Sequence, residues 1–554
     1  MKLSRLGIVA ILAVIVGAIL PRAAAAKDSD PCPRPDTGSI VSQPVDLYSR
    51  NGVLNVSFDY YTTVSDAGIT LFCFVTPDGV QSPTLHVRPG DRLELSVTNR
   101  VPAPPPNTGT ERVSNSKNRC GDSLMTITSM NVHFHGTNTS PTCRSDQVVH
   151  TIVNSGQTFT YNLKFPENEP PGLYWYHPHV HGLSSAAVQG GASGAIVVEG
   201  IEKLEPETVG LPQRILLIRD QNIPSNPNPG GKVPSWDISL NYVPILYPKY
   251  VPAVLQIQSG TTELWRVVNA SADTIVELVL EYDDVAQPLH IVALDGVPTG
   301  SQDGTRRGKI VTRTSIRLPP AARAEFIVTA PGVEVKNAML LTQRINTGPF
   351  GDSDPARPLA TIQPIDAHAA LPVVPAANSP PNPQRFEGLA SANVTAKRTV
   401  FFSEAKVVIG ESKVAPASAA TPPPWRDVLF QFYITVDGQT PTPFAPLAPP
   451  SITTRQGAVE DWTIQNRSYE NHEFHMHQIH FLLLERDGIP VPKDQQQFLD
   501  MVEVPFWFGS GPYPSVTVRM DFRGADVGDF VYHCHILDHE DAGMMAIIRV
   551  LPRS

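Results

Sequence analysis

Four pairs of histidines, each with one residue between them, constrain this chain more than any other feature. The pairs are His133-Phe134-His135, His177-Pro178-His179, His475-Met476-His477 and His533-Cys534-His535. On a strand, side chains at positions i and i+2 point the same way, so each pair presents two imidazoles on one face. One such pair is a weak signal. Four pairs supply eight nitrogen ligands without carboxylates, which suits copper or zinc better than magnesium or calcium.

The last pair encloses Cys534, whose side chain on a strand points to the opposite face from the two histidines. Single imidazoles on either side of it in the sequence, and a methionine beyond, complete the ligand set of a blue electron-transfer copper. The predicted ligands are His472, Cys534, His539 and, as the weak axial group, Met544. Met545 is the alternative axial ligand, but the spacing from Cys534 favours Met544.

The remainder of the chain predicts an all-β protein. Proline is frequent, at 55 of 554 residues, which argues against long uninterrupted helices. Stretches such as Val53 to Tyr60 and Arg92 to Val97 alternate between apolar and polar residues as strands do. The length suits about three domains of ordinary size. We expect a signal peptide at 1–26, domains at 30–200 and 206–365, a linker at 366–396 and a third domain at 397–554.

The N-terminus and the net charge indicate where the protein acts. Lys2 and Arg5 precede an apolar run from Leu6 to Leu20 and an alanine-rich segment, which is typical of a secretory signal peptide. We therefore expect an exported protein, periplasmic or secreted. The apolar run is short for a membrane span, and we expect no span after cleavage. The formal net charge of −10 argues against nucleic acid as a partner. The oligomeric state stays open.

The five cysteines fall into two groups. Cys32, Cys73, Cys120 and Cys143 lie in the first third of the chain. In an exported protein they predict up to two disulfides, with three pairings possible. Cys534 is left over, and its two histidine neighbours make it a better metal ligand than a free thiol.

These motifs resemble those of three-domain multicopper oxidases of the laccase type. The resemblance extends through strand segments such as Val87-Arg88-Pro89-Gly90-Asp91 over essentially the whole mature chain. It is carried by His133-Phe134-His135-Gly136, Tyr174-Trp175-Tyr176-His177-Pro178-His179, His472-Glu473-Phe474-His475-Met476-His477 and His533-Cys534-His535-Ile536-Leu537-Asp538-His539. The last motif, with Glu540-Asp541 after it, is similar to that of bacterial laccases of the spore-coat and bilirubin-oxidase-like kind.

The resemblance implies three cupredoxin-like Greek-key β-sandwich domains, four copper ions, and transfer of single electrons from a small reducing substrate to O2, which becomes water. His133 and His475 would hold the type 2 copper. The type 3 pair would be held by His135, His177, His179, His477, His533 and His535. The type 1 copper, in the third domain, would take the four ligands named above. Asp146 and Glu540 resemble the carboxylates that relay protons to the cluster.

Two positions depart from the family pattern. The usual proline after the first histidine of the third motif is Glu473, which we expect at the rim of the type 1 site. The usual glycine after the third histidine is Gln478. Neither change removes a ligand. His181 and His480 continue the histidine runs by the same two-residue step, and we place them outside the ligand set, as neighbours of the ligands or as exposed residues.

The reducing substrate is less defined than the metal sites. Phenols or aromatic amines are the laccase-like expectation, and oxidation of Fe(II) or Cu(I) is the alternative. Cu(I) oxidases tend to carry methionine-rich segments, whereas this chain has nine methionines and only Met544-Met545 cluster. A copper-free protein on the same fold should have lost ligands, which this chain retains. Copper nitrite reductases usually have two domains and lack the four histidine pairs.

Overall fold

The computed structural model describes residues 30–106, 108–223, 233–300, 308–366, 371–376, 385–408, 415–416 and 428–553. Residues 31–554 form one compact unit. The predicted signal peptide at 1–26 lies outside the described residues. Within the described part of the chain, no helix has both the length and the apolar character needed to cross a membrane.

The first set of strands builds a two-sheet sandwich. Its strands are β1 (Asp46–Tyr48), β2 (Val53–Val64), β3 (Thr70–Val75), β4 (Thr84–Val87), β5 (Arg92–Asn99), β6 (Glu111–Arg112), β7 (Cys120–Gly121), β8 (Leu124–Met125), β9 (His133–His135), β10 (Thr151–Ile152), β11 (Thr158–Lys164), β12 (Gly172–His177) and β13 (Gly194–Val198). One sheet has the order β1-β4-β13-β12-β9 and the other β11-β5-β2-β3, while β7 pairs with β10 and β6 with β8. Helix α1 (Ser184–Gln189) precedes β13. Alternating burial in β2 and β5 places every second side chain in the core between the sheets.

The second set repeats the two-sheet arrangement. Its strands are β14 (Gln213–Gln221), β15 (Asp237–Leu240), β16 (Val243–Ile245), β17 (Ala253–Gln258), β18 (Thr262–Asn269), β19 (Val276–Tyr282), β20 (Val285–Ala286), β21 (Leu289–Leu294), β22 (Val297–Pro298), β23 (Val311–Arg313), β24 (Ile316–Leu318), β25 (Arg323–Thr329), β26 (Ala338–Thr342) and β27 (Arg357–Ile365). One sheet runs β16-β15-β14-β18-β25-β21-β22 with β23 on β21, and the other β17-β27-β26-β19-β20 with β24 on β19. Short 3₁₀ helices lie at Ile201–Lys203, Pro206–Thr208 and Leu389–Ser391.

The third set forms the last sandwich. Its strands are β28 (Ala396–Val408), β29 (Ala415–Pro416), β30 (Val428–Val436), β31 (Ile452–Arg455), β32 (Val459–Asn466), β33 (His472–Met476), β34 (Phe481–Arg486), β35 (Ile489–Pro490), β36 (Phe498–Leu499), β37 (Met501–Val504), β38 (Ser515–Asp521), β39 (Gly528–Cys534) and β40 (Met545–Leu551). One sheet runs β29-β28-β32-β38-β34-β35 with β30 on β28 and β36 on β34, and the other β31-β40-β39-β33-β37. Helix α2 (Leu537–Asp541) lies between β39 and β40.

Three cupredoxin-like sandwiches thus confirm the predicted all-β fold. Every sheet draws its strands from one of three segments, 46–198, 213–365 or 396–551. The domain limits 30–200, 206–365 and 397–554, and the linker at 366–396, stay predictions because residues 31–554 pack as one unit. The structure also resolves the disulfide pairing, which is Cys32 with Cys73 and Cys120 with Cys143.

Strand β12 shows how the sandwiches fix the position of the histidines. Its side chains alternate between two cores: Tyr174 and Tyr176 pack inside the first sandwich, while Leu173 and Trp175 pack into the core of the second. All four are fully buried. A strand clamped on both faces has little freedom, because close-packed side chains resist displacement. His177, at the end of β12, is therefore held by two cores at once.

Candidate metal centres

Two pairs of neighbouring strands carry the histidine motifs. In the first sandwich β9 lies beside β12, with His133 opposite His177. In the third sandwich β33 lies beside β39, with His475 opposite His533. Residues directly opposite on neighbouring antiparallel strands have their side chains on the same face and close together. Strand register therefore joins the motifs two by two, although more than 40 residues separate the members of each pair, as in 133 and 177.

Eight buried imidazoles from the first and third sandwiches converge on one place, none more than 2% exposed. Three of them form a tight group: Nε2 of His533 lies 3.2 Å from Nε2 of both His179 and His477. One of the three comes from the first sandwich and two from the third. Their nitrogen atoms all lie within 4.8 Å of one another, a spacing that one metal ion can bridge.

A second group of three faces the first. The ring centroids of His135, His177 and His535 lie 4.9 to 5.9 Å apart. The two remaining rings, His133 and His475, have centroids 6.0 Å apart, and their nitrogens lie within 4.8 Å of one another and of a nitrogen of His135. The structure thus brings all eight predicted residues together and divides the six type 3 candidates into two triads, a division that the sequence left open.

Hydrogen bonds hold three of the imidazole rings in the tautomer that can bind a metal ion. His177 and His475 each donate from Nδ1 to a backbone carbonyl at 2.8 Å, and His133 donates from Nδ1 to the Asp146 carboxylate at 2.9 Å. These bonds fix the tautomer that leaves the Nε2 lone pair free. The Nε2 atoms of all three rings are buried and have no hydrogen-bond partner among the described residues.

The electrostatics favour neutral rings. Burial, followed by the neighbouring imidazoles, holds the pKa values of His133, His475 and His535 well below the usual range. Neutral imidazole is the form that binds a metal ion. Buried polar atoms without partners are costly, and a set of nitrogen donors is the chemistry that copper prefers. The residues present therefore fit a group of copper ions.

The second centre lies on the other face of β39. Sγ of Cys534 is 3.6 Å from Nδ1 of His472 and 3.8 Å from Nδ1 of His539, and the two nitrogens are 3.1 Å apart. This triangle of one sulfur and two nitrogens matches the trigonal plane of a type 1 copper site. Burial raises the pKa of the Cys534 thiol well above its usual value, so a metal ion is what would keep the sulfur a thiolate.

The structure separates the two candidate axial methionines. Met544 is fully buried in the same core as Cys534, and its carbonyl accepts the N–H of Cys534 at 3.1 Å. Met545 packs in a different cluster, with Val148 and Val531. Met544 therefore remains the predicted axial ligand.

Three residues that the sequence did not single out surround the outer edge of this centre. Glu404 Oε1 lies 3.6 Å from Nε2 of His472, and Glu470 Oε1 lies 3.5 Å from Nε2 of His539. The ring of Phe432 stacks on His539 with centroids 4.1 Å apart. None of the three belongs to a motif, because β28, β30 and the turn before β33 meet only in the folded chain.

Asp146 is tied to three partners. Its Oδ1 accepts from Nδ1 of His133 at 2.9 Å and from the N–H of Phe134 at 3.1 Å. Its Oδ2 accepts from Nε2 of Gln478 at 2.9 Å, across from the third sandwich. Gln478 has φ of 63°, the left-handed conformation that favours glycine. The departure from the family's glycine thus places a donor on the predicted relay carboxylate.

Glu540, the second predicted relay carboxylate, interacts electrostatically with His179 and His533 of the first triad. It is fully buried, and its Oε1 lies 3.1 Å from Nδ1 of His181, whose side chain is 20% exposed. Burial alone would raise the pKa of Glu540, but the hydrogen bond with His181 and the nearby His179 and His533 lower it overall. His181, left unassigned by sequence, therefore connects a buried carboxylate beside the cluster to the protein surface.

The prediction that Glu473 lies at the rim of the type 1 site is wrong. Instead of lying at the rim, Glu473 is fully buried, because β33 is paired on both sides, by β37 and β39. Its N–H donates to Sγ of Cys534 at 3.4 Å and its carbonyl accepts the N–H of His535 at 2.8 Å. The residue therefore touches the metal centre through its backbone.

The second sandwich supports the cluster, although none of its described residues belongs to the eight imidazoles. Arg323, on β25, donates to both carboxylate oxygens of Asp500 at 2.6 and 2.7 Å, and the Asp500 carbonyl accepts from His475. Gly136 has φ of 84°, and a Cβ there would lie 2.4 Å from both Arg323 and Asp500. His480 joins this buried network through the Asp295 carbonyl at 2.9 Å. The glycine of the first motif is thus required by close packing.

Comparison with known proteins agrees with this geometry. Profiles of a family described as multicopper oxidase match residues 117–203 and 421–554. The chain is 24% identical over 456 residues to the multicopper oxidase LPR1 homolog 5 of Oryza sativa subsp. japonica, covering 72% of this chain and 64% of the relative. It is 22% identical over 414 residues to a laccase of Bacillus subtilis (strain 168), covering 69% and 71%.

A solved structure shares the whole architecture. The multicopper oxidase of Campylobacter jejuni, described as a metallo-oxidase, superposes with a TM-score of 0.64 at 20% identity, covering 94% of this chain and 96% of that one. At this identity the likeness establishes the fold. The substrate of that protein does not transfer to this chain by fold alone.

Proposed function

We propose that the chain is a multicopper oxidase, a copper-dependent oxidoreductase that uses O2, and that it oxidises phenols or aromatic amines one electron at a time and reduces O2 to water. Four copper ions would serve, one at Cys534 and three in the imidazole cage. Copper supplies the one-electron and oxygen chemistry when bound.

One observation carries this proposal: Cys534 belongs to one centre while the residues on both sides of it belong to the other. His533 lies in the first triad and His535 in the second. The backbone of β39 is therefore a short covalent link between an electron-entry site and a cage able to hold O2. Two such sites on one strand are what single-electron oxidation coupled to four-electron reduction requires.

The chain's own groups divide the proton work. We assign proton delivery to Glu540, because its Oε2 has no hydrogen-bond partner among the described residues and His181 links it to the surface. A positioned carboxylate is a competent relay. Asp146, also predicted as a relay, has both oxygens engaged, so we assign it first to orienting His133.

Aromatic surroundings favour an aromatic reductant at the electron-entry edge. Phe432 stacks on His539. Nearby, Tyr469, beside Glu470 in the chain, contacts Phe350 with ring centroids 5.5 Å apart and Trp507 with centroids 5.9 Å apart. Aromatic rings stabilise one another by stacking, so these side chains would bind a phenol or aromatic amine more favourably than a hydrated ion.

Oxidation of a metal ion is the second candidate, and the two carboxylates support it. Glu404 and Glu470 place oxygen atoms within 3.6 Å of the outer nitrogens of His472 and His539. Oxygen donors suit Fe(II) better than the softer Cu(I). For this second candidate we expect that changing both glutamates to glutamine removes Fe(II) oxidation and leaves phenol oxidation in place.

Oxygen consumption tests the proposal. Copper-loaded protein is given a phenol, an aromatic amine, Fe(II) and Cu(I) in turn, with Cys534→Ser as the matched control. We expect an intense visible thiolate band and oxygen uptake with the aromatic donors, both lost in the control. Loaded protein without that band, or a control that still turns over, overturns the electron path.

We further propose that the protein acts outside the cytoplasm. Two disulfides, Cys32–Cys73 and Cys120–Cys143, support this, because such bonds persist in oxidising compartments. Cell fractionation with N-terminal sequencing checks it: recovery of an uncleaved protein from the cytoplasm contradicts export and the predicted 1–26 signal peptide.

A further inference from the structure

The backbone N–H of Glu473 reaches the sulfur of Cys534. The distance from N to Sγ is 3.4 Å, and both residues are fully buried. Sulfur is a weak acceptor, but water does not compete for the N–H in this place. The position follows His472 directly, where proline is the usual residue of the family, and proline has no N–H to donate.

The strand geometry explains why this N–H is directed at Cys534 and not at β37. In an antiparallel pair, the N–H and C=O of a hydrogen-bonded residue point to the same side. The Glu473 carbonyl accepts from the N–H of His535, the residue directly after β39, so its N–H also faces β39, where Cys534 lies. The bond to sulfur therefore does not replace a bond to β37, and among the hydrogen bonds of the described residues a proline at this position removes the one to sulfur.

Hydrogen bonds to the cysteine sulfur tune a blue copper site. The positive end of the N–H dipole draws electron density from the sulfur, so the sulfur donates less to the ion that it binds. Less donation disfavours the oxidised, more positive ion relative to the reduced one. The contact therefore makes the site easier to reduce, which means that it can accept electrons from poorer donors.

We propose that the Glu473 N–H raises the reduction potential of the copper held by Cys534 and so widens the range of reductants to phenols that give up electrons less readily. This inference rests on the proposed type 1 site. Glu473 would determine specificity through its backbone N–H, which contacts the copper ligand Cys534. Its carboxylate oxygens have no hydrogen-bond partner among the described residues.

The test compares three variants that separate the N–H from the carboxyl group. Glu473→Gln and Glu473→Ala keep the N–H, and Glu473→Pro removes it. Each copper-loaded variant is titrated with a reversible one-electron redox partner while the visible thiolate band is followed. We expect Glu473→Pro to shift the equilibrium constant towards the oxidised site by about fivefold to tenfold relative to Glu473→Ala; tenfold is about 59 mV for one electron.

Substrate range supplies a second measurement. Relative to Glu473→Ala, the proline variant should lose several-fold more in kcat/KM with an unsubstituted phenol than with an easily oxidised hydroquinone. Equal loss with both donors, or a potential unchanged from Glu473→Ala, overturns the inference. A parent protein without a thiolate band overturns the proposed function instead, so the two failures are distinguishable.

A spectroscopic measurement covers the case in which the proline variant does not fold or load. In the unmodified oxidised protein with ¹⁵N-labelled glutamate, electron–nuclear double resonance should detect a coupling to one amide nitrogen through the N–H···S contact. The same label in Glu473→Gln, which keeps the N–H but carries no labelled nitrogen at that position, should show no coupling. If the parent protein lacks the coupling, the contact is absent and the inference fails.

Discussion

Exchanging the two groups of the Asp146–Gln478 hydrogen bond should restore what the single change Gln478→Glu destroys. Gln478 Nε2 donates to Asp146 Oδ2 at 2.9 Å, and both side chains are buried. Gln478→Glu removes the donor and sets a second carboxylate against the first. Asp146→Asn keeps an oxygen for His133 and turns the other end of the side chain into a donor, which the Gln478 amide can accept by turning its oxygen towards it. In the double variant the new donor faces the new carboxylate, so the bond returns with its polarity reversed.

The magnitudes follow from the groups involved. A buried hydrogen bond to a charged group contributes about 1.5–3 kcal/mol to the free energy of unfolding. The left-handed backbone of Gln478, φ of 63°, costs a non-glycine residue about 1–2 kcal/mol. Gln478→Gly loses the hydrogen bond but relieves the backbone strain, so we expect a net destabilisation of about 1 kcal/mol. Gln478→Glu loses the hydrogen bond and keeps the backbone strain, so we expect a destabilisation of about 2–4 kcal/mol.

Denaturant unfolding of the four proteins in the exchange cycle measures the coupling, with equal slopes as the condition for comparing them. We expect a coupling free energy of about 2 kcal/mol favouring the double variant. In copper-loaded samples, the paramagnetic signal expected from copper at His133 and His475 should weaken in Gln478→Glu and return in the double variant. Unfolding free energies that add within about 0.5 kcal/mol refute the reasoning, as does a signal that never changes.

Three further changes test other parts of the molecule. Glu540→Gln should slow reoxidation by O2 about a hundredfold in stopped-flow traces, while anaerobic reduction at Cys534 keeps its rate; slowing of both rates contradicts the relay. His86 bonds to Glu199 at 2.6 Å and Asp46 at 2.9 Å; burial lowers the pKa of His86, but these two carboxylates outweigh it and raise the pKa overall. The stabilisation by protonated His86 is therefore complete below the unfolded-state pKa and is lost as pH rises through the raised pKa of the folded protein. The difference in denaturation midpoint between the parent and His86→Gln should shrink with rising pH, and a difference that stays constant excludes this role. Removing the Cys120–Cys143 bond by a double serine change should cost about 3 kcal/mol, seen as a lower melting temperature, and reducing agent should then have less effect on the variant than on the parent.

The predicted ligands illustrate how far sequence reasoning reaches. The i, i+2 spacing of His533 and His535 identifies a strand and puts Cys534 on its other face, because strand side chains alternate whatever the fold around them. The all-β class likewise follows from local alternation and frequent proline. Both are properties of short segments, which is why one sequence carries them.

Other features depend on contacts between distant segments. Glu473 follows a ligand and reads as a rim residue, but pairing of β33 on both sides buries it and turns its N–H onto sulfur. Glu404 and Glu470 have no motif, since only folding brings them to the outer nitrogens of His472 and His539. Spacing along the chain carries no information about such neighbours.

The sequence by itself determined which residues are the candidate metal ligands and which strand joins the two centres. The tertiary structure decided how six imidazoles divide into two triads, which methionine lies with Cys534, and which groups hold each ring in place. The physical reason is that a ligand's identity and its face on a strand are local properties. The distance between two ligands instead depends on strand register and on the packing of one sandwich against another.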